Sequence, residues 1–499
     1  MKIKQKYLLG FSAFVLSLGV ATILGSGSAK AATLNVSGSC TISDAIDSVN
    51  AGSDQASCGG TAYGTNDTIN IPAGTLTLNT DLPQITESVT VQGAGMNDTI
   101  IDGDASQYRL FRAQGVDIKI SDMKIQAYEQ YALLAENCNV ILENLDINAE
   151  NSTNQWSNLM IMNDSPNTFT LFTNNLYIHD IDYSESIVYG MLVNQNGGGT
   201  LNSVINNTTL SNINNSTGTV NGFALGVGLQ GNTPGNTGTV NATVTNTTIH
   251  NVTAANIAAP FVGGALAAGG DANTNMTIYN VTITGMRGIT GNAFPLTGVK
   301  SAAFYAVTAG LTSGDTADAN INVGNSLLAD NLSDGVSSNC EVADLTSGFS
   351  GAGTGNATVT SLDYNMSDDG SCVNFTQSHD QQNVSNILST LGPLINNGGA
   401  VPTRALLPGS PAISTGGAVL GVTTDARGVS RPSTNPSIGA YQYVAGVSTT
   451  SPDVDTVSAN GTLADTGQNV QLITLLACSL ILLATVSSKR LVKTSKYKD

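Results

Sequence analysis

Positive charge is scarce in this 499-residue chain: 18 Lys and Arg stand against 36 Asp and Glu. Half of the cations lie at the ends, as Lys2, Lys4, Lys6 and Lys30 and as Lys489, Arg490, Lys493, Lys496 and Lys498. Nine remain between Ala32 and Thr466, against 35 acids once Asp499 is set aside, a balance of −26. A field of that sign repels nucleic acid and anionic membrane surfaces and disfavours anionic polysaccharides without a bridging cation. Its plainest consequence is solubility. The single Trp argues against a β-propeller, whose repeats of about 40–45 residues carry Trp-Asp signatures. The three histidines, His179, His250 and His379, are dispersed, and no Cys-x-x-Cys pair occurs. Zinc spacing is therefore missing, and neither metal nor cofactor is expected.

Cysteine is also sparse. Of six, Cys478 sits in an apolar run, leaving Cys40, Cys58, Cys138, Cys340 and Cys372. Cys40 with Cys58 and Cys340 with Cys372 are near in sequence, and bridges are expected outside the cytoplasm. Cys138 is then the odd one, read as a buried thiol.

What the chain has in quantity is Asn, Thr and Gly, set among short runs of Ile, Val and Leu. The 54 Gly and low charge would suit disorder, but the recurring apolar alternation argues against it. One phrase repeats: Asn144-Leu-Asp-Ile147, Asn175-Leu-Tyr-Ile178, Asn207-Thr-Thr-Leu210, Asn246-Thr-Thr-Ile249, Asn280-Val-Thr-Ile283 and Asn325-Ser-Leu-Leu328. Asp122-Met-Lys-Ile125 precedes the series. Period-2 alternation marks half-buried strands, and Asn tolerates the left-handed backbone that turns one strand into the next. Stacking such units places Asn144, Asn175, Asn207, Asn246 and Asn280 on one line along a solenoid. The expected fold is all-β, a right-handed parallel β-helix with Ile, Val and Leu buried between coils. Ile42, Ala45, Ile46 and Val49 recur at helix spacing and predict a short helix capping the first coil.

The ends carry the clearest signals. A basic start, an apolar run from about Tyr7 to Leu24 and Ala29-Lys30-Ala31 form a secretory signal over residues 1–31, to be removed by signal peptidase. At the other end Leu463-Ala464-Asp465-Thr466-Gly467 precedes an apolar run, Val470 to Val486, and a basic tail. A 17-residue run is at the short end of what spans a bilayer, and the tail after it stays cytoplasmic by its charge. This order resembles a sortase cell-wall sorting signal. The resemblance implies cleavage between Thr466 and Gly467 and transfer of the Thr carbonyl to a wall amine, with the nucleophile on the sortase. Ala464 stands where the commonest motif has Pro, and the L-A-x-T-G form is similar to substrates of another sortase class. A plain membrane anchor is the alternative.

Cys40-Thr-Ile-Ser-Asp-Ala-Ile46 resembles the Cys-Ser-Leu-Arg-Glu-Ala-Ile motif that opens many bacterial β-helix surface proteins, and Thr90–Gly95 with Thr99–Gly103 looks like their first coils. Leu391-Gly-Pro-Leu-Ile-Asn-Asn-Gly-Gly399, Leu407–Ile413, Asp425–Pro432 and Ile438-Gly-Ala-Tyr441 together are similar to the choice-of-anchor Q domain. That family implies a pectate-lyase-like fold and no particular reaction. Pro436-Ser437 and Gln442 replace its usual Cys-Asp and Glu, so one family disulfide is not expected. The organisation predicted is a cap with first coils (32–120), central coils (121–326), a choice-of-anchor Q-like end (327–443), a linker (444–462) and the sorting signal (463–499) with a membrane helix over 470–486.

A lyase needs clustered carboxylates for calcium and a base, and a hydrolase needs paired carboxylates. Arg109 and Arg112 lie near Asp102 and Asp104, while Arg427 and Arg431 belong to the closing motif. Asp180 and Asp182 adjoin His179, and Asp368-Asp369 lies in a Gly-rich loop. Neither pair has the Gly-His-Gly or Asn-Thr-Asp companions that resemble polygalacturonases. The histidines read as turn or surface residues, and no catalytic residue is nominated. The expected role is a binding, adhesion or structural protein of the cell surface, with glycans or surface proteins of another cell as partners. Side loops Gly197 to Thr200 and Gly231 to Thr239 are its candidate contact surface. The alternative is a polysaccharide lyase or glycoside hydrolase on the same scaffold.

Overall fold

The computed structural model describes residues 31–446 apart from 105–108, 151–156, 183–186, 216–222, 235–236, 292–296 and 350. The secretory segment, most of the linker, Leu463 to Gly467 and the apolar run 470–486 lie outside the described residues. Among the described residues no helix is long and apolar enough to cross a membrane.

The chain is mostly β, in long parallel sheets stacked as a solenoid. Each central coil has a strand bent in the middle, such as Val140–Asn148, then a loop, then a second strand such as Ser157–Asn163. The bent strands pair coil on coil: Val140–Asn148 lies between Ile118–Gln126 and Thr168–Asp182, and Thr168–Asp182 pairs onward with Thr200–Asn215. The second strands form their own eight-stranded sheet, in unbroken chain order from Arg109–Gln114 to Cys340–Asp344. In-register pairing puts like residues on like. Ile125, Ile147, Ile178, Leu210, Ile249, Ile283 and Leu328 form one inward column, each at most 1% exposed. Each such side chain contributes about 1.5–3 kcal/mol on burial, and no coil can bury its own share without a neighbour.

The two kinds of strand differ in pattern. Bent strands alternate buried with half-exposed residues, whereas Ser157–Asn163, Ile187–Gln195 and most of Ala258–Ala268 are buried on both faces. The outward residues of the eight-stranded sheet, among them Met160, Tyr189, Leu192, Val262 and Tyr305, form a second apolar cluster with Val299, Leu311 and Phe349. At the N-side, helix Ile42–Ala51 buries Ile42, Ala45, Ile46 and Val49, and its Thr41 and Asp44 bond reciprocally in a capping box.

The bend has a single cause. Asp122, Asn144, Asn175, Asn207, Asn246, Asn280 and Asn325 all have φ between 47° and 60°, the left-handed region that turns a strand. They occupy one register position, and their side chains bridge coils. Asn144 donates to Asp122 at 2.8 Å, Asn175 to Asn144 at 2.8 Å, Asn246 to Asn207 at 3.2 Å, and Asn325 to Asn280. Asn207 departs from the line by donating to Asn174.

The stack ends near Met366–Ser367. Beyond that point, over the rest of 327–443, the described chain forms no further coil. Leu391–Ile395 and Thr403–Leu406 form an antiparallel hairpin, and the chain to Tyr443 runs back along the outer side of the solenoid. Leu391, Ala405, Leu406, Ala412, Ile438 and Tyr441 pack there against Leu327, Ala329 and Met366.

Cys40 bridges Cys58 and Cys340 bridges Cys372, with Cα separations of 4.9 and 4.8 Å, while Cys138 is free and buried. Thiol labelling of the native, unreduced protein is expected to modify none of these five cysteines. Unfolding without reductant is expected to release one, and labelling of all five at that stage would show the bridges absent. At the corners, Asn175→Val is expected to destabilise by about 2–3 kcal/mol, through left-handed strain and the lost amide bond. Asn175→Gly keeps the backbone freedom and should cost about 1 kcal/mol. Denaturant titrations of the two variants decide, and equal losses would remove the corner argument.

Candidate functional site

A second corner lies five residues after the first. Ala127, Asp180, Asn212, Asn251 and Asp330 have φ between 53° and 60°, and Gly285 occupies the same place at 79°. Asn212 donates to Asp180 at 2.7 Å and Asn251 to Asn212 at 2.8 Å. The constant offset from Asn175, Asn207 and Asn246 was visible in the sequence as a second Asn or Asp after each repeat phrase, a signal the repeat reading missed.

Beside this corner sits a polar cluster that spans neighbouring coils. His179 ends the arm before Asp180. Its Nδ1 lies 2.6 Å from Asp180 Oδ2 and its Nε2 lies 2.8 Å from Asp146 Oδ1 on the preceding coil. The Tyr177 ring stacks on the imidazole with centroids 3.9 Å apart, and its hydroxyl meets Ser211 Oγ on the following coil at 3.3 Å. His179 is 7% exposed, so it is neither a turn nor a surface residue. Burial alone would lower the imidazole's pKa; the two carboxylates outweigh it and raise the pKa above the ordinary value. Asp180 is held below the carboxylate range by the His179 bond, against its own desolvation, with Asn212 adding to the effect. Both ring nitrogens are engaged, so the imidazole has no free lone pair for a substrate proton. The cluster is a clamp across three coils.

The returning C-terminal segment stops just short of this clamp. Thr209 Oγ1 donates to the Pro402 carbonyl at 2.7 Å. Further along, Arg404 Nη1 donates to Thr284 Oγ1 at 2.9 Å and Ala440 N to Thr282 Oγ1 at 3.0 Å. Arg431 Nη2 reaches Asn246 Oδ1 at 3.2 Å, and Asn246 Nδ2 donates to the Thr424 carbonyl at 3.0 Å. Arg431 thus enters the asparagine line itself, and Asn280 Nδ2 is left without a bond at that point. Beneath the segment His250 is half-buried. Desolvation, with Arg404 nearby, brings its pKa down to about 4. It too departs from the surface position expected of it.

The remaining candidates disperse. Arg109 bonds Gln130 and Arg112 bonds the Leu82 carbonyl, while Asp102 accepts from Gln126. Asp369 is buried and holds Asn339, Ser367 and Ser371 beside the Cys340–Cys372 bridge. His379 pairs with Asp363 at 2.7 Å and stacks on Tyr364. Gly197 and Gly199 do not form a free side loop: a Cβ on either would collide with the backbone of residues 164–167. Gly231 belongs to strand Phe223–Pro234. Among the described residues no group of three or more His, Cys, Asp or Glu is arranged to hold a metal ion. Neither the family models nor the curated proteins contain a match to the chain.

His179 and His250 give opposite pH dependences. His179 has a raised folded pKa, so its stabilisation is complete below about 6.5, the unfolded value, and is lost as pH rises through the folded one. Asp180 contributes above the ordinary carboxylate pKa of about 3.9 and loses this as pH falls through its depressed value. The melting-temperature gap between wild type and His179→Asn should therefore be wider at pH 6 than at pH 9. His250 contributes fully above its unfolded pKa of about 6.5 and loses this as pH falls toward its folded value of about 4. Wild type should lose ground to His250→Gln between pH 7 and pH 4.5. Gaps that do not move with pH would remove the assignments.

Proposed function

We propose that the protein is a cell-envelope-anchored surface protein, built on a right-handed, pectate-lyase-like β-helix that acts by binding or by structure. The observation that carries this reading is the course of the C-terminus. The stack ends near Ser367, and the chain then doubles back and is pinned along the solenoid's side as far as Tyr443. From there it continues into a Ser/Thr/Gly/Asp-rich stretch and then the pentapeptide, apolar run and basic tail. A solenoid closed in this way and followed by a Ser/Thr/Gly/Asp-rich spacer suits display at a distance from an envelope. The choice-of-anchor Q resemblance lies on the same segment: its Asp425–Pro432 motif supplies Arg431, which reaches Asn246 on the solenoid, and Arg404, between two of the motifs, reaches Thr284. The clamp at His179 supports a non-catalytic reading, because its imidazole is spent on two carboxylates.

The experiment is Thr466→Ala followed by envelope fractionation. Wild type is expected to be released by wall digestion, shortened at Thr466. The variant should be exported and folded but recovered with detergent at its full C-terminal mass. Wild type recovered from membranes with Gly467 to Asp499 still attached would overturn sorting and leave a membrane anchor.

A further inference from the structure

The outer face of the first arms is unlike the rest of the molecule. Asn202, Asn241, Asn275 and Asn320 occupy one outward register position on four successive coils. Each side chain donates to the one before, at 3.1, 3.1 and 3.2 Å, and Thr358 Oγ1 closes the line on Asn320 at 2.9 Å. A primary amide has two N–H donors and two lone pairs. One of each is used within the line, so each coil offers one further donor and one further acceptor, at a repeat of about 4.8 Å. Two residues along, Thr243 and Thr277 add hydroxyls with the same repeat. The acids on this face are spoken for: Asp318 accepts from Asn356 at 2.7 Å, Asp117 from Asn139 at 2.8 Å, and Glu143 pairs with Lys119.

Apolar surface flanks the line. Phe172 stands half-buried in the register column that continues through Val204 to Thr243. The Tyr279 ring lies over Gly324 on the next coil, in space that a Cβ there would take at 2.8 Å. Rings lying along a flat sheet are platforms for the C–H faces of sugars.

We propose that this face binds an uncharged polysaccharide chain lying along the solenoid, about one pyranose ring per coil. Sugar hydroxyls donate and accept together, which is what the amide line offers at every step. A pyranose ring in an extended chain advances by nearly one coil rise, so contacts stay in phase over the four asparagines. A chain balance of −26 disfavours an acidic polymer, and the amide line itself carries no cation to anchor one. The proposal rests on the surface-protein reading and names its ligand class.

The test uses the full chain in detergent and depletion by insoluble cellulose, chitin and starch, with polygalacturonate as the anionic comparison. At least one neutral polymer is expected to retain the protein, and polygalacturonate is not. Thr243→Arg/Thr277→Arg should weaken retention by about tenfold or more, the equivalent of one or two lost contacts. Val336→Arg, at a site 68% exposed and away from this face, should leave retention unchanged. Should the double Arg variant melt below wild type, Thr243→Ala/Thr277→Ala replaces it. Retention by none of the neutral polymers, preference for polygalacturonate, or full retention of the folded face variants overturns the proposal. Fractionation of Thr466→Ala is unaffected by any of these outcomes, so a failed ligand class leaves the anchoring reading testable by itself.

Discussion

The structure depends on one backbone constraint: in each central coil a residue must sit in the left-handed region, and in most coils a second, five residues on, does so too. That conformation costs an ordinary L-residue roughly 1–2 kcal/mol, and Asn or Asp less, because a short polar side chain finds a local bond. In a solenoid the same corner recurs in register, so the side chain that tolerates the corner also finds its counterpart one coil away. The amide bond between coils therefore arises at a position where Asn was already required. The straight arms between corners are then free to alternate, with Ile147, Ile178 and Leu210 inward and Asp146, Tyr177 and Thr209 outward. Placement of the His179 clamp is a consequence, since Asp180 is itself a corner residue and Asn212 holds it from the next coil.

The first corner was legible in the sequence because it carries Asn at every repeat. The second was harder because four residue types share it: Ala127, Asp180, Asn212 and Gly285 all reach positive φ, but only a search at fixed offset from the first corner groups them. The inner core was legible from period-2 alternation in the bent strands. The eight-stranded sheet was not, since runs such as Ala258–Ala268 are apolar on both faces and give no period. Pairing of Cys40 with Cys58 and of Cys340 with Cys372 followed from short separation. The neighbours of His179 did not, because Asp146 is 33 residues away in sequence and one coil away in space.

The C-terminal segment carries motifs that resemble the choice-of-anchor Q domain, but its path was not legible in them. Its motifs read as loops, Gly- and Pro-rich, and nothing local says which way a loop runs. The structure supplies a reason for the particular residues. Asp425 is fully buried and takes Arg427 N, Val429 N, Gln442 N and the Arg427 side chain, while that guanidinium lies 3.5 Å over the Tyr441 ring. The positions that depart from the family pattern face one another: Ser437 N donates to Gln442 Oε1, and Tyr443 N to Ser437 Oγ. A hydrogen-bonded pair thus stands where the resembled pattern has Asp and Glu.

The scarcity of cations takes on meaning in the same segment. Three of the nine between Ala32 and Thr466 are Arg404, Arg427 and Arg431. An irregular strand laid across a solenoid leaves backbone carbonyls without the N–H partners that a sheet would provide. Arg431 serves the carbonyls of Thr424, Ser437 and Gly439 and the Asn246 amide at once, and Arg404 serves Gly392 and Thr284. Burial has a cost, seen in the Arg431 pKa brought down to about 10. A guanidinium meets that cost with five donors in a fixed plane, which an ammonium on a flexible stem does not have. Because most of these acceptors are neutral and sheltered, the segment holds by hydrogen bonding more than by charge pairing, and salt has little to screen. The attachment of the C-terminal segment to this strongly acidic chain is thereby little affected by ionic strength.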